Sequence, residues 1–244
     1  MRNIAMVAVI AILTGSSVAQ EFNFDPDITQ EEFEEFTLTL SRAIYASPIE
    51  PAHGGSIFSF DVGVAVTAVE VNEDAAFWVN SVNEDILQQG YLLAPRVVAS
   101  KGFGRLNVSG SYMMIPDTDV EIWGAAIDVP IISGSIVRPT IAVRGTWADL
   151  RGVEELDMKV IGLEGFISKG FGPVTPYAGF GIAQTEATGM IEGSDFNPEI
   201  MLETETEEER FTVGARLSLL LFKVVVEAVQ TDEITYGAKF SFSL

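Results

Sequence analysis

The chain has 244 residues, no cysteine and a formal net charge of −21, from 35 acidic and 14 basic side chains. That balance leaves nothing to neutralise phosphates, which excludes nucleic acid as a partner, and the absence of cysteine excludes disulfide staples and thiolate chemistry. Yet 48% of the residues are hydrophobic, so charge and apolarity must be segregated along the chain.

The first segment sets the compartment. Arg2 gives a positive start, Ile4 to Leu13 are apolar, and Ser17-Val18-Ala19 is a small-x-small cleavage site. The apolar run is about ten residues, too short to cross a bilayer as a helix. Residues 1–19 are therefore read as a signal peptide on an exported protein, 20–55 as an N-terminal helical segment and hinge, and 56–244 as the main domain.

The one convincing helix runs from Asp27 to Ala46, with Asp27 as its N-cap and Gln30 three residues on. Phe33, Phe36, Leu40 and Ile44 fall on one face, and Glu31, Glu32, Glu34 and Glu35 cover the other. Pro48 and Pro51 stop it, and His53-Gly54-Gly55 forms a hinge.

From Ile57 the period changes to two. Phe58, Phe60, Val62, Val64 and Val66 alternate with Ser59, Asp61, Gly63, Ala65 and Thr67. Nine further segments follow, at 91–101, 104–115, 120–129, 136–148, 156–168, 173–187, 210–219, 222–230 and 234–244, with the facing of 120–129 and 156–168 ambiguous. Most have the length of about 9–11 residues that a tilted strand needs to span a bilayer. Alternate connections fall into two sets. One contains 72–90, 116–119, 149–155, 188–209 and 231–233; the other contains only the short 102–103, 130–135, 169–172 and 220–221. Long acidic loops on one side and short turns on the other are the asymmetry of a transmembrane barrel. No stretch after residue 19 has the eighteen consecutive apolar residues of a membrane helix. The expected fold is all-β: a closed antiparallel transmembrane β-barrel of about ten strands, with Tyr91, Tyr112, Trp123, Trp147 and Tyr236 as interfacial girdles.

At the end of the chain, Tyr236, Ala238, Phe240, Phe242 and Leu244 alternate with small or polar residues. This resembles the terminal strand of outer-membrane barrel proteins, with Leu244 where such strands end on Phe or Trp. The run Pro176-Tyr177-Ala178-Gly179-Phe180-Gly181-Ile182-Ala183 is similar to strands of the same class. Over 56–244 the chain thus resembles the small Gram-negative outer-membrane β-barrel proteins. The resemblance implies residence in the bacterial outer membrane among its lipid and lipopolysaccharide. It also implies insertion by the barrel-assembly machinery, with Tyr236, Phe240, Phe242 and Leu244 as the assembly signal.

No catalytic constellation is legible. The single histidine, His53, lies in the hinge with no Ser/Asp set around it, and neither a cofactor nor a metal is expected. The acidic stretch Glu192 to Glu209 lacks the ligand spacing of a calcium loop and reads as a solvated loop. Turning the polar strand faces inward places Arg96, Arg105, Arg138, Arg144, Arg216, Lys223 and Lys239 in the lumen, opposite Asp61, Glu121, Glu164 and Glu227. Such a set makes either an anion-favouring constriction or an internal ion-pair network. The helix is expected to cap the periplasmic mouth, with Phe33, Phe36 and Leu40 on the rim, full insertion being the alternative. Two functions follow for a monomeric barrel: a narrow passive channel or transporter for a small solute, or a structural, surface-interacting anchor for acidic extracellular loops.

Overall fold

A computed structural model describes residues 24, 28–81, 87, 89–115, 119–135, 137–191 and 200–243. The proposed signal peptide, Asp27 and Leu244 lie outside these residues. In chain order the elements are α1 (Gln30–Ile44), β1 (Phe60–Glu70), α2 (Ala76–Val79), β2 (Tyr91–Phe103), β3 (Leu106–Met114), β4 (Glu121–Ile132) and β5 (Thr140–Arg151). They continue with β6 (Leu156–Ser168), β7 (Val174–Ile191), β8 (Ile200–Leu219), β9 (Phe222–Gln230) and β10 (Ile234–Ser243).

Each strand pairs antiparallel with its chain neighbours, and β10 closes the ring on β1 with Val64 opposite Phe240 and Val62 opposite Phe242. Closure pairs the backbone polar groups and leaves no edge, which a hydrocarbon environment requires. The exterior is apolar: Val62, Ile127, Leu163, Phe180, Phe211, Val226 and Phe240 are all exposed outward. Their alternating neighbours, such as Thr67, Ser109, Thr146, Gly162 and Ser241, turn inward. This is the surface of a barrel that lies in a membrane, and the ten-stranded outer-membrane type of fold read from the sequence is the fold observed.

The two ambiguous strands both turn their even-numbered residues inward, Ile122 to Asp128 in β4 and Leu156 to Ser168 in β6. The irregularity in β4 lies beyond that run, between Pro130 and Ile132. One expected loop is mostly strand. The hairpin of β7 and β8 continues to Ile191 and resumes at Ile200, so most of 188–209 is paired. Glu203, Glu205, Glu207 and Glu209 stand on its exposed face, with Glu186 directly opposite Glu205.

Tyr91, Tyr112, Trp123, Trp147 and Tyr236 all face outward near the end that carries the long connections. The rings of Tyr112 and Trp123 are 4.7 Å apart. The exposed aromatic residues at the other end include the phenylalanines Phe58, Phe103 and Phe171.

Helix α1 starts two residues later than its sequence pattern suggests. Thr29 is the N-cap: its hydroxyl accepts the Glu32 N–H, and the Glu32 carboxylate accepts the Thr29 N–H. This reciprocal box satisfies two backbone donors that have no partner within a helix beginning at Gln30.

Candidate functional site in the barrel lumen

The N-terminal segment fills the barrel. The helix lies at the end with the long connections, opposite to the mouth expected from its place just before β1. Gln30 donates to the Glu203 carbonyl on the projecting part of β8, and the Phe36 ring lies 6.1 Å from Trp78 in the β1–β2 connection. From Tyr45 the chain descends through the lumen, and Gly54 and Gly55 leave it beside the β2–β3 turn, against Gly104 and Gly102. Residues 45–55 reach on the order of 35 Å when extended, enough to traverse a membrane barrel. The chain therefore enters β1 only after threading the pore.

Two halves of the lumen hold this segment by different means. In the upper half, toward the long connections, Phe33, Phe36, Leu40 and Ile44 pack on inward-facing Ile122, Leu150, Leu156, Met158, Val160, Ala183 and Ala187. Phe24 adds edge-on contacts to Phe33 and Phe36 at 5.6 and 5.7 Å. The stripe sits here because this half has the larger apolar lining; a smaller cluster of Ala65, Val98, Ala142, Phe166 and Val225 meets Ile49 and Ala52 lower down. The helix fits because its neighbours are small: a Cβ on Gly189 would meet the Phe33 ring at 2.5 Å.

The lower half is charged. Pro48 and Pro51 forbid helix and hold the segment open, while Ile49, fully buried, takes φ 48°. That left-handed backbone costs a β-branched residue on the order of 1–3 kcal/mol, so the surroundings must impose it. It turns Glu50 into a cluster of cations. The Glu50 carboxylate accepts from Lys239 at 3.0 Å, Arg216 at 3.0 Å and Lys223 at 3.3 Å. Asp61 pairs with Lys239 at 2.9 Å and Lys223 at 3.2 Å. Arg144 donates to the Glu50 carbonyl and grips Asp128 in a fork at 2.7 and 3.0 Å. The three cations that touch it offset the cost of burying this carboxylate.

A polar belt joins the halves. Tyr45 donates to Glu164 and lies 3.7 Å under the Arg210 guanidinium. Tyr177 donates to Glu227, and Arg96 binds the Ser47 carbonyl and the Thr67 hydroxyl. At the mouth Arg42 pairs with Glu208 and Glu233.

Of the lumen residues expected from the sequence, Arg96, Arg144, Arg216, Lys223, Lys239, Asp61, Glu164 and Glu227 do face inward. Arg105 and Arg138 do not: both sit exposed in the short turns, past the strand ends. Glu121 opens β4 on the outward face, where it accepts from Tyr112 and Trp123. Five charged residues were not anticipated in the lumen: Arg42, Glu50, Asp128, Glu208 and Arg210. With them, seven cations face six carboxylates among the described residues, so the expected cationic surplus nearly vanishes. His53, expected as a solvated hinge, is half-buried, its ring 3.9 Å from Glu50. Phe33, Phe36 and Leu40 pack inside the upper lumen instead of on a periplasmic rim. Tyr236, Phe240 and Phe242 face outward on β10.

No protein-family model matches the sequence, and no curated protein matches it. Solved structures do. The N-terminal β-barrel domain of Pseudomonas aeruginosa OprF is 10% identical, covering 75% of this chain and 97% of that one, with a TM-score of 0.33. The attachment invasion locus protein Ail of Yersinia pestis is 10% identical over 76% of this chain and 94% of that one, with a TM-score of 0.32. The Ralstonia pickettii toluene transporter TbuX is 10% identical over 91% of this chain and 94% of that one, also with a TM-score of 0.32. Likeness at this level says nothing about ligand or activity.

Proposed function

We propose that this protein is an outer-membrane barrel closed by its own N-terminal segment, serving as an anchor that holds the long, acidic connections at the cell surface. The observation that carries this reading is that the segment from Tyr45 to Glu50 occupies the lumen and is bonded to the wall along its length. Within the lumen, among the described residues, the cavity lined by Arg42, Tyr45, Arg96, Arg210 and Glu227 measures about 10 Å³. That is room for about one water. With β1 running outward from the periplasm, the short turns face the periplasm and the β7–β8 hairpin projects outside.

The test is conductance of the full-length mature chain in a planar bilayer. The anchor reading expects no resolved steps, whereas steady single-channel steps would return the narrow-channel reading. Passage of a small solute remains a second reading in one form, release of the segment, and one observation favours it. The wall behind Glu50 is polar and charged (Arg144, Lys239, Asp61, Ser241), so an emptied lower lumen would hydrate.

A further inference from the structure

The end of the barrel that carries the short turns has an unusual surface. Its tips are apolar and exposed: Leu220 is 103% exposed, Val137 90% and Phe58 82%, with Ile131 and Phe171 close behind. Solvated turns are ordinarily polar, and apolar tips of this size mark a contact surface. The same end carries Lys101 and Arg105 at the β2–β3 turn, Arg138 in the β4–β5 turn and Lys169 in the β6–β7 turn. Lys169 reaches across to the Ser135 and Arg138 carbonyls, which joins the β6–β7 and β4–β5 turns. Lys101 binds the Ile57 carbonyl and ties the approach to β1 to the same end.

No aspartate or glutamate side chain is exposed at this end among the described residues. Glu50, Asp61, Asp128 and Glu164 are all buried in the lumen. At the opposite end the order is reversed, with Glu186, Glu203, Glu205, Glu207 and Glu209 on one hairpin alone. An arc of cations over three of the four short turns, set among exposed Phe, Ile, Val and Leu, suits one occupant. The apolar tips need acyl chains, and the cations need an anion at the depth where those chains end.

The geometry points to a collar for anionic glycerophospholipids, whose phosphodiester headgroups would lie on Lys101, Arg105, Arg138 and Lys169 while Phe58, Val137, Phe171 and Leu220 enter the acyl region. This inference rests on the membrane-barrel reading. It adds to that reading a selection among lipids and the end of the barrel at which the selection is made.

The experiment reconstitutes the full mature chain in phosphatidylcholine vesicles and compares spin-labelled phosphatidylglycerol with spin-labelled phosphatidylcholine at the protein surface. Phosphatidylglycerol is expected to be enriched about fivefold, in line with a modest attraction per basic residue near a surface. The preference should fall toward parity in about 1 M salt, where charge is screened over roughly 3 Å. It should fall likewise in the K101Q/R105Q/R138Q/K169Q variant, with inserted barrel confirmed by heat-modifiable migration. Equal enrichment of the two lipids, or a preference that survives both salt and substitution, overturns the collar while leaving the barrel intact. Stronger enrichment of spin-labelled lipid A than of phosphatidylglycerol overturns the choice of occupant. Failure of the chain to float with the vesicles overturns the membrane reading itself.

Discussion

The two halves of the lumen hold one continuous segment by opposite kinds of physics. Above, α1 is held by apolar contacts that are numerous, weak singly and indifferent to small changes of shape. Below, Glu50 is held by a few directional contacts to Lys239, Arg216 and Lys223, with Arg144 on its carbonyl. The upper arrangement gives adhesion and the lower gives register. A helix can slide on an apolar wall, but Glu50 has one place in which its charge is compensated.

The sharpest way to break this contrast is Glu50→Gln. The side chain keeps its shape, yet buried cations lose their partner, a change that costs about 3–5 kcal/mol. Hydrogen exchange should show residues 45–55 losing protection, and protection equal to the parent chain would deny the latch. In the upper half the same isosteric logic should be cheap. Phe36→Leu is expected to cost less than about 1.5 kcal/mol, whereas Phe36→Ala should cost about 3–5 kcal/mol by leaving a cavity. The melting of α1 in detergent, followed by the Trp78 emission that Phe36 contacts, separates these cases.

An intermediate effect is expected at Gly189. A side chain there collides with the Phe33 ring, so Gly189→Val should displace the helix at about 1–3 kcal/mol. Unchanged exchange protection at Phe33 would contradict the packing described.

The smallest effect belongs to Thr29→Ala, which removes the capping hydroxyl of α1 at about 1 kcal/mol. Fraying confined to the first turn by hydrogen exchange is the expected sign.

Much of the barrel was legible because a wall between lipid and lumen writes a period of two into each strand, as in Val62–Val66 and Tyr236–Phe242. Where the wall leaves the hydrocarbon the period lost its contrast. Glu203, Thr204, Glu205, Thr206 and Glu207 do alternate on β8, but both faces are polar, so 188–209 reads as a loop and hides the inward Glu208, whereas Arg210 opens the strand segment 210–219 on the same face as Arg216 and was legible by its parity. Asp128 was missed because the facing of β4 could not be fixed from Trp123, Ala125 and Ile127 beside Ile122 and Ala126. The plug was the least legible part. Tyr45-Ala46-Ser47-Pro48-Ile49-Glu50 carries no periodicity, and the partners of Glu50 lie 166 to 189 residues away along the chain. Adjacency in sequence to β1 suggests that the helix sits at the mouth where β1 begins, whereas eleven extended residues suffice to carry it across the lumen to the other mouth.

The central claim, that residues 45–55 pass through the barrel, can be tested with an engineered disulfide, since the chain has no cysteine of its own. A Cβ on Gly124 of β4 would lie 2.8 Å from the Ala46 Cβ, so the segment must draw back by about 1 Å to reach the roughly 3.5–4.5 Å that a disulfide takes. With the Ser111 hydroxyl rotated aside, oxidation of the A46C/G124C variant in the folded barrel should give near-complete intramolecular linkage, read as a shifted band on non-reducing gels. Two free thiols after oxidation, both open to a membrane-impermeant maleimide, would show that the segment lies outside the lumen and would contradict the account.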